Sequence, residues 1–309
     1  MKPLLRSMTS ADRYEVGELI YCSINTWYRT HGCPPIFQGG PRVAEVFYDV
    51  YEDLDPGCNV VAEHLETGRL MGSCFYHPRQ HHVSLGIMTV HPNHAGMGVG
   101  RALLQHIMDY TDAGGYQALR LTQSAINVDS FSLYNKAGFV PRYAYQDMIV
   151  RVPPTGLPEV LSEAMTVRDA TPADVSAMAA LEWEVSGITR EPDYRYCIDN
   201  RGGFWHVSVV DNPAGGLDGF LISSGHSAMN MIGPGVMRSE AAAAALVHRE
   251  LNQYPGRSPV VVVPVEKERL VRRIYDWGGR VCEMHFCQVR GVMQPYRGVN
   301  LPSFLPETG

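Results

Sequence analysis

The chain has 309 residues, 45% hydrophobic and 19% charged, enough length for two domains and enough apolar material for ordinary cores. A net charge of −6 without any basic tail argues against nucleic acid as the main partner. Seven cysteines form no CxxC pair, and no apolar run reaches the roughly 20 residues of a membrane span, so the expectation is a cytoplasmic protein with reduced thiols and no membrane partner.

The start, "MKPLLRSMTSADRYEVGELI", carries no apolar core of signal-peptide length and reads as a short strand, a cap signal and a helix. The stretch from Tyr21 to Asp55 is rich in aromatic residues (Trp27, Tyr28, Phe37, Tyr48, Tyr51) and ends in Glu52, Asp53 and Asp55. Helical core packing and a solvated acidic turn account for it. "NVVAEHLETGRLMGSCFYHP" reads as two strands around a Glu-Thr-Gly turn, and "HVSLGIMTV" as a third. His77, His81 and His82 lack a fourth ligand at suitable spacing, so a polar turn is expected there rather than a metal site.

The loop "VHPNHAGMGVG" opens onto a helix over 99–113, where Val99, Leu103, Ile107 and Tyr110 form one apolar stripe. "YQALRLTQS" is the next strand, Asn127 to Lys136 a short helix, and "YAYQDMIVR" a closing strand. The proline-bearing segment 151–165 suits an extended linker. Beyond it the plan repeats. One offset of 162 residues relates Arg6 to Arg168 and Asp12 to Asp174, and an offset of 141 relates "LYNKAGF" to "IYDWGGR". The expected organisation is a lobe over 1–150, the linker, a second lobe over 166–291 and an irregular tail over 292–309. The fold class is mixed α/β, with two tandem lobes, each a mostly antiparallel sheet flanked by helices.

A helix start leaves N–H groups without partners, and its dipole favours an anion. Glycines on the approach let several amides converge on a phosphate. The P-loop requires Lys followed by Ser or Thr, which Gly100-Arg101-Ala102 does not supply. A dinucleotide fingerprint requires GxGxxG and an acidic residue after the next strand, whereas Thr122, Gln123 and Ser124 follow here, which disfavours a nicotinamide oxidoreductase. The remaining pattern is a strand, Val-x-Pro, two residues, Arg or Gln, two residues, Gly-x-Gly and a helix. Val90-His91-Pro92, Gly98-Val99-Gly100 and the following "RALL" fit it in register. In these residues the chain resembles the GNAT superfamily of acyl-CoA-dependent N-acyltransferases, over most of 1–150 and more weakly over 164–290.

The resemblance implies that acetyl-CoA or another acyl-CoA lies between the strands ending at Val90 and Ser124. Backbone groups of Met88, Thr89 and Val90 would then bond the pantetheine. The loop Ala95, Gly96, Met97, Gly98, Val99, Gly100 and Arg101 would hold the diphosphate. Asn127 and Tyr134, seven apart on one helix face with Ser130 between them, match the family's asparagine and tyrosine. The resemblance makes Asn127 a ligand of the pantetheine arm and Tyr134 the acid that protonates the departing thiolate. Ala95 departs from the family's Arg or Gln, with Arg101 or His94 as sources of the missing charge. The strand before Val90 carries no glutamate for a base; His82, Glu63 and Asp147 are substitutes for which ordinary strand or surface roles serve as well.

The second copy has lost the glycines: Ser239 caps a helix, Glu240 opposes a phosphate, and Tyr275 reads as a core residue. The implied activity is N-acylation of a small-molecule or peptide-like amine acceptor without a metal, compatible with a homodimer. The family shapes its acceptor pocket from the aromatic-rich segment after the first strand. A non-catalytic acyl-CoA-binding sensor is the rival reading, because the base is missing.

Overall fold

A computed structural model describes residues 3–158 and 165–305. The first repeat runs β1 (Leu4–Arg6), α1 (Arg13–Thr30), α2 (Glu45–Leu54), β2 (Asn59–Glu63), β3 (Leu70–Pro78) and β4 (His82–Val90). It continues with α3 (Val99–Ala113), β5 (Ala118–Ser124), α4 (Val128–Lys136) and β6 (Val140–Ile149). The second repeats that order with β7 (Val167–Asp169), α5 (Val175–Ser186), α6 (Glu191–Asp199), β8 (Trp205–Asp211), β9 (Leu217–His226) and β10 (Met229–Met237). It ends in α7 (Glu240–Leu251), β11 (Val260–Pro264), α8 (Glu268–Asp276), β12 (Arg280–Gly291) and one additional strand, β13 (Val299–Leu301).

The residues that revealed the duplication do the same work in both copies. Asp12 and Asp174 each accept from the backbone N–H of a threonine three residues earlier, at 2.7 and 2.8 Å. Each also takes a two-pronged arginine from the preceding strand, Arg6 and Arg168. Each arginine has a second carboxylate, Glu63 at the end of β2 and Asp211 at the end of β8. The strand, helix start and neighbouring strand are thereby pinned twice by one device.

Two compact units are present, and the boundary falls inside β5 rather than at the linker. The first extends to Leu119 and takes in the chain again from Phe304. Its strands run β1-β2-β3-β4, all antiparallel. Val99 and Leu103 of α3 reach the sheet at Gly72, where a Cβ would stand 2.9 and 3.1 Å from them. The predicted apolar stripe therefore meets a backbone left bare for it. On β4 one extra residue is inserted: Cys74 faces Met88 and Tyr76 faces Leu85, so Gly86 and Ile87 together oppose Phe75.

The second unit covers Arg120–Ser303, with strand order β5-β12-β6-β11-β10-β9-β8-β7 and β13 beside β10. Its distinctive feature is an exchange. β6, the last strand of the first repeat, lies between β11 and β12 of the second, antiparallel to both. β12 in turn lies between β5 and β6. Met148 and Val150 of the first repeat thus share a core with Val261, Leu246 and Ile274 of the second. The described part of the linker is fastened to the same core: Val152 and Leu157 are buried, and the Val152 N–H donates to Arg257 O at 2.9 Å. The tail is not wholly irregular, because β13 pairs with β10 and buries Val299 and Leu301. An apolar Val-Asn-Leu triplet among prolines is too short to show strand periodicity, and sheet pairing fixes it.

Candidate active site

After β4 the chain makes one tight turn at Pro92–His94, with the His91 side chain accepting from the Asn93 N–H. Gly96 (φ +76°) and Gly98 (φ +83°) then take left-handed conformations, and Gly98 stands at the N-cap of α3. A Cβ at either would meet nothing within 4 Å, so backbone conformation and not crowding demands glycine. The amides of Ala95 and Met97 are spent on the turn, donating to Pro92 O and His94 O. Among the described residues the N–H groups of Gly96, Gly98, Val99, Gly100 and Arg101 have no backbone acceptor. Five donors therefore remain on an exposed loop at the positive end of a helix.

Ala95 itself adds no charge. Burial and the neighbouring His91 and His64 lower the His94 pKa, so His94 stays neutral and does not replace the absent basic residue. Arg101, exposed in the first turn of α3, is the cation that remains. On β4, the Thr89 and Ser73 hydroxyls share a hydrogen bond at 3.0 Å, while Met88 and Val90 are half-buried. The backbone of this strand is thus what is offered, with the bulge at Gly86–Ile87 interrupting its pairing.

In the second unit Asn127 is the N-cap of α4, its Oδ1 accepting from the Ser130 N–H at 3.0 Å. That oxygen holds the helix start, and the Nδ2 group is the part with chemistry to give. Tyr134 is 6% exposed, with its ring 5.7 Å from Phe139. α4 is seated on β12 through Phe131 against Phe286 and Asn135 Nδ2 donating to Gln288 at 2.9 Å. At the end of β5 the Ala125 N–H donates to Met284 O at 2.8 Å, and the Ser124 hydroxyl bonds Glu283. The loop residues Met88–Arg101 and the helix residues Asn127, Ser130 and Tyr134 belong to different compact units.

Of the histidine-rich segment only His81 lies in the turn between β3 and β4. His77 and His82 lie buried in β3 and β4, and His77 Nδ1 bonds Asp55 at 2.6 Å. Asp55 is not in a solvated turn either. Burial pushes its carboxyl upward, but bonds from His77 and Arg79 prevail and hold it below the usual range. Of the substitute bases, Glu63 is paired with Arg6. Asp147 is buried and accepts from His285 Nδ1 at 2.9 Å. Among the described residues Asp147, Glu283 and His285 bring ligating atoms within 4.8 Å of one another, a grouping that spacing in the chain could not reveal.

The second copy has a helix start without the loop. Ser239 caps α7 through the Ala242 N–H at 3.2 Å, and Glu240 accepts from the Leu270 N–H. Tyr275 is 49% exposed, so it is not a core residue. The helices α4 and α8 start at Val128 and Glu268, and the left-handed glycines after them are Gly138 and Gly278. This offset is one residue shorter than the matching letters suggested, and it sets buried Ile274 in the place of Tyr134.

Residues 17–139 match the Acetyltransferase (GNAT) family. The chain is 28% identical over 103 residues to the UPF0157 protein YqkA of Bacillus subtilis, a stretch that spans 28% of that protein and 33% of this chain. A Pyrococcus horikoshii crystal structure is similar over 99% of this chain and 95% of its own, with a TM-score of 0.77 and 13% identity. A tandem GNAT protein from the clavulanic acid biosynthesis pathway is similar over 94% of this chain and 98% of its own, with a TM-score of 0.60 and 16% identity. Match and fold agree with the duplicated elements and the glycine loop: the match to the GNAT family lies in the first repeat, and the fold of the chain is similar to that of a tandem GNAT protein.

Proposed function

We propose that the chain transfers an acetyl or other short acyl group from acyl-CoA to the amine of a small-molecule or peptide-like acceptor, using one site in the first repeat. The observation that carries this reading is the set of five bare amides at the start of α3, from Gly96 to Arg101. A diphosphate is the guest that fits convergent N–H donors at a helix N-terminus. Backbone groups of Met88 to Val90 take the pantetheine, and Asn127 Nδ2 supports it. The neutral amine attacks the thioester carbonyl, forming the C–N bond, and the C–S bond breaks with its electron pair leaving on sulfur. A backbone N–H of β4 at the Gly86–Ile87 bulge stabilises the oxyanion between these steps. Tyr134 protonates the thiolate, so the net proton passes from nitrogen to sulfur.

Titration calorimetry with acetyl-CoA, followed by thiol release with an amine panel, tests this. Tyr134→Phe should lower kcat about 100-fold while the acetyl-CoA Kd changes less than about 2-fold. Equal loss of both would remove Tyr134 from the acid role. The sensor reading rests on the absence of a carboxylate from β4, and tight acetyl-CoA binding without turnover on any amine would favour it.

A further inference from the structure

Arg120, on β5, is 2% exposed, and among the described residues it forms no ion pair with a carboxylate. Its Nη2 donates to the Tyr296 hydroxyl at 2.6 Å, while its Nε has no partner. Arg190, also 2% exposed, is near enough for its charge to oppose that of Arg120. Arg190 is balanced by Glu182, whose Oε1 accepts from its Nε at 2.8 Å, yet its Nη1 also lacks a partner. Arg190 thus has Glu182 and the buried Asp193 as counter-charges, whereas the interior guanidinium of Arg120 has no carboxylate in contact. Stranding such a charge is costly unless an anion arrives to meet it.

The surroundings of Arg120 define the rest of the ligand. Phe286 meets α4, so Glu283, His285 and Cys287, which alternate with it along β12, face the other side of the sheet. Asp147 and Tyr145 stand directly opposite Glu283 and His285 in the β6–β12 register and share that face. On β5, Ser124 bonds Glu283, and Arg120 is four residues away on the same face. A cation therefore stands at one end of this face and a carboxylate–imidazole group at the other, about 13 Å apart along the strand.

We propose that this face, with Arg120 at one end and Glu283, His285 and Asp147 at the other, binds an amine acceptor that also carries a carboxylate. The proposal rests on the acyltransferase reading for the fate of the amine, but not for the binding itself. Arg120 takes the carboxylate, because a guanidinium fork matches its two oxygens. Glu283 and Asp147 attract the ammonium. The span suits an ω-amino carboxylate or a short peptide rather than an α-amino acid with adjacent charges. The second repeat, stripped of its own glycine loop, thereby supplies Glu283 and His285 to the acceptor.

The experiment compares glycine, 4-aminobutanoate and 6-aminohexanoate with methylamine, propylamine and pentylamine as acceptors of the acetyl group. At least one amino carboxylate should exceed its matched alkylamine in kcat/KM by about 30-fold, the range of a charge-assisted pair. In Arg120→Gln that ratio should collapse toward one, with acetyl-CoA binding reporting that the variant is folded. Equal use of acid and alkylamine by the native protein overturns the proposal, as does a ratio that survives in Arg120→Gln. Thermal shift without acyl-CoA separates this subsite from the acyltransferase reading. Stabilisation by 6-aminohexanoate but not pentylamine supports the subsite even in the absence of turnover. No stabilisation by any of the three amino carboxylates overturns it.

Discussion

Gly98 combines two demands in one residue: a left-handed backbone at the N-cap of α3 and a surface bare enough for a phosphate. A side chain there costs about 1–2 kcal/mol of backbone strain. Gly98→Ala should therefore lower stability modestly, and its Cβ should weaken acetyl-CoA binding about 10-fold or more by standing among the amides. Calorimetry beside a melting curve checks this, and an unchanged Kd would remove the loop from the cofactor site. Arg101→Ala is the complementary change. An exposed cation is worth about 0.2–1 kcal/mol, so Kd should rise less than about 5-fold and lose part of its salt dependence. The loop was legible in the sequence because glycine identity encodes the backbone angle. Which amides stay free was not legible, since Ala95 and Met97 spend theirs on a turn that only the folded chain defines.

At the level of elements, the paired Arg–Asp clamps make a measurable claim. The Arg168 side chain holds the Asp174 carboxyl down at about 2, against burial, with Thr171 assisting through its backbone N–H and hydroxyl. Asp12 is lowered in the same direction by Arg6. A carboxyl whose pKa falls on folding contributes stability that is present above its ordinary value near 4 and is lost as pH falls toward about 2. Asp174→Asn should accordingly lower the melting temperature at pH 7, where loss of a cap costs about 0.5–2 kcal/mol, and converge on the native protein near pH 2. A parallel acid limb in variant and native protein would show that the pair is inert. These helix starts were readable because Thr-x-x-Asp is a local signal with a local cause. The lengths of the repeats were less so. Matching letters aligned Tyr134 with Tyr275, whereas helix starts and left-handed glycines align it with Ile274. Register follows hydrogen bonds, not identities.

At the scale of the whole molecule, the exchange of β6 and β12 escaped the sequence because each strand alone reads as the natural end of its own repeat. Nothing near Asp147 signals that its partners lie at Glu283 and His285. Two self-contained lobes were the simplest inference from a duplicated sequence, and the exchange instead makes each repeat depend on the other for a sheet strand. A fragment ending at residue 158 lacks β12, which separates β5 from β6 in the intact chain. Three unpaired strand edges, one on β5 and both on β6, and the exposed side chains of Met148 and Val150 would remain. Such a fragment should aggregate or lack a cooperative melt, although it contains the glycine loop, Asn127 and Tyr134. Co-expression with the segment from residue 159 onward should restore a soluble complex that binds acetyl-CoA, because the missing strand then returns from the second chain. Size-exclusion chromatography and circular dichroism read both outcomes. A monomeric 1–158 fragment with a sharp melt and native acetyl-CoA affinity would show that β12 is dispensable to the first repeat, and with it the contribution of Glu283 and His285 to the acceptor.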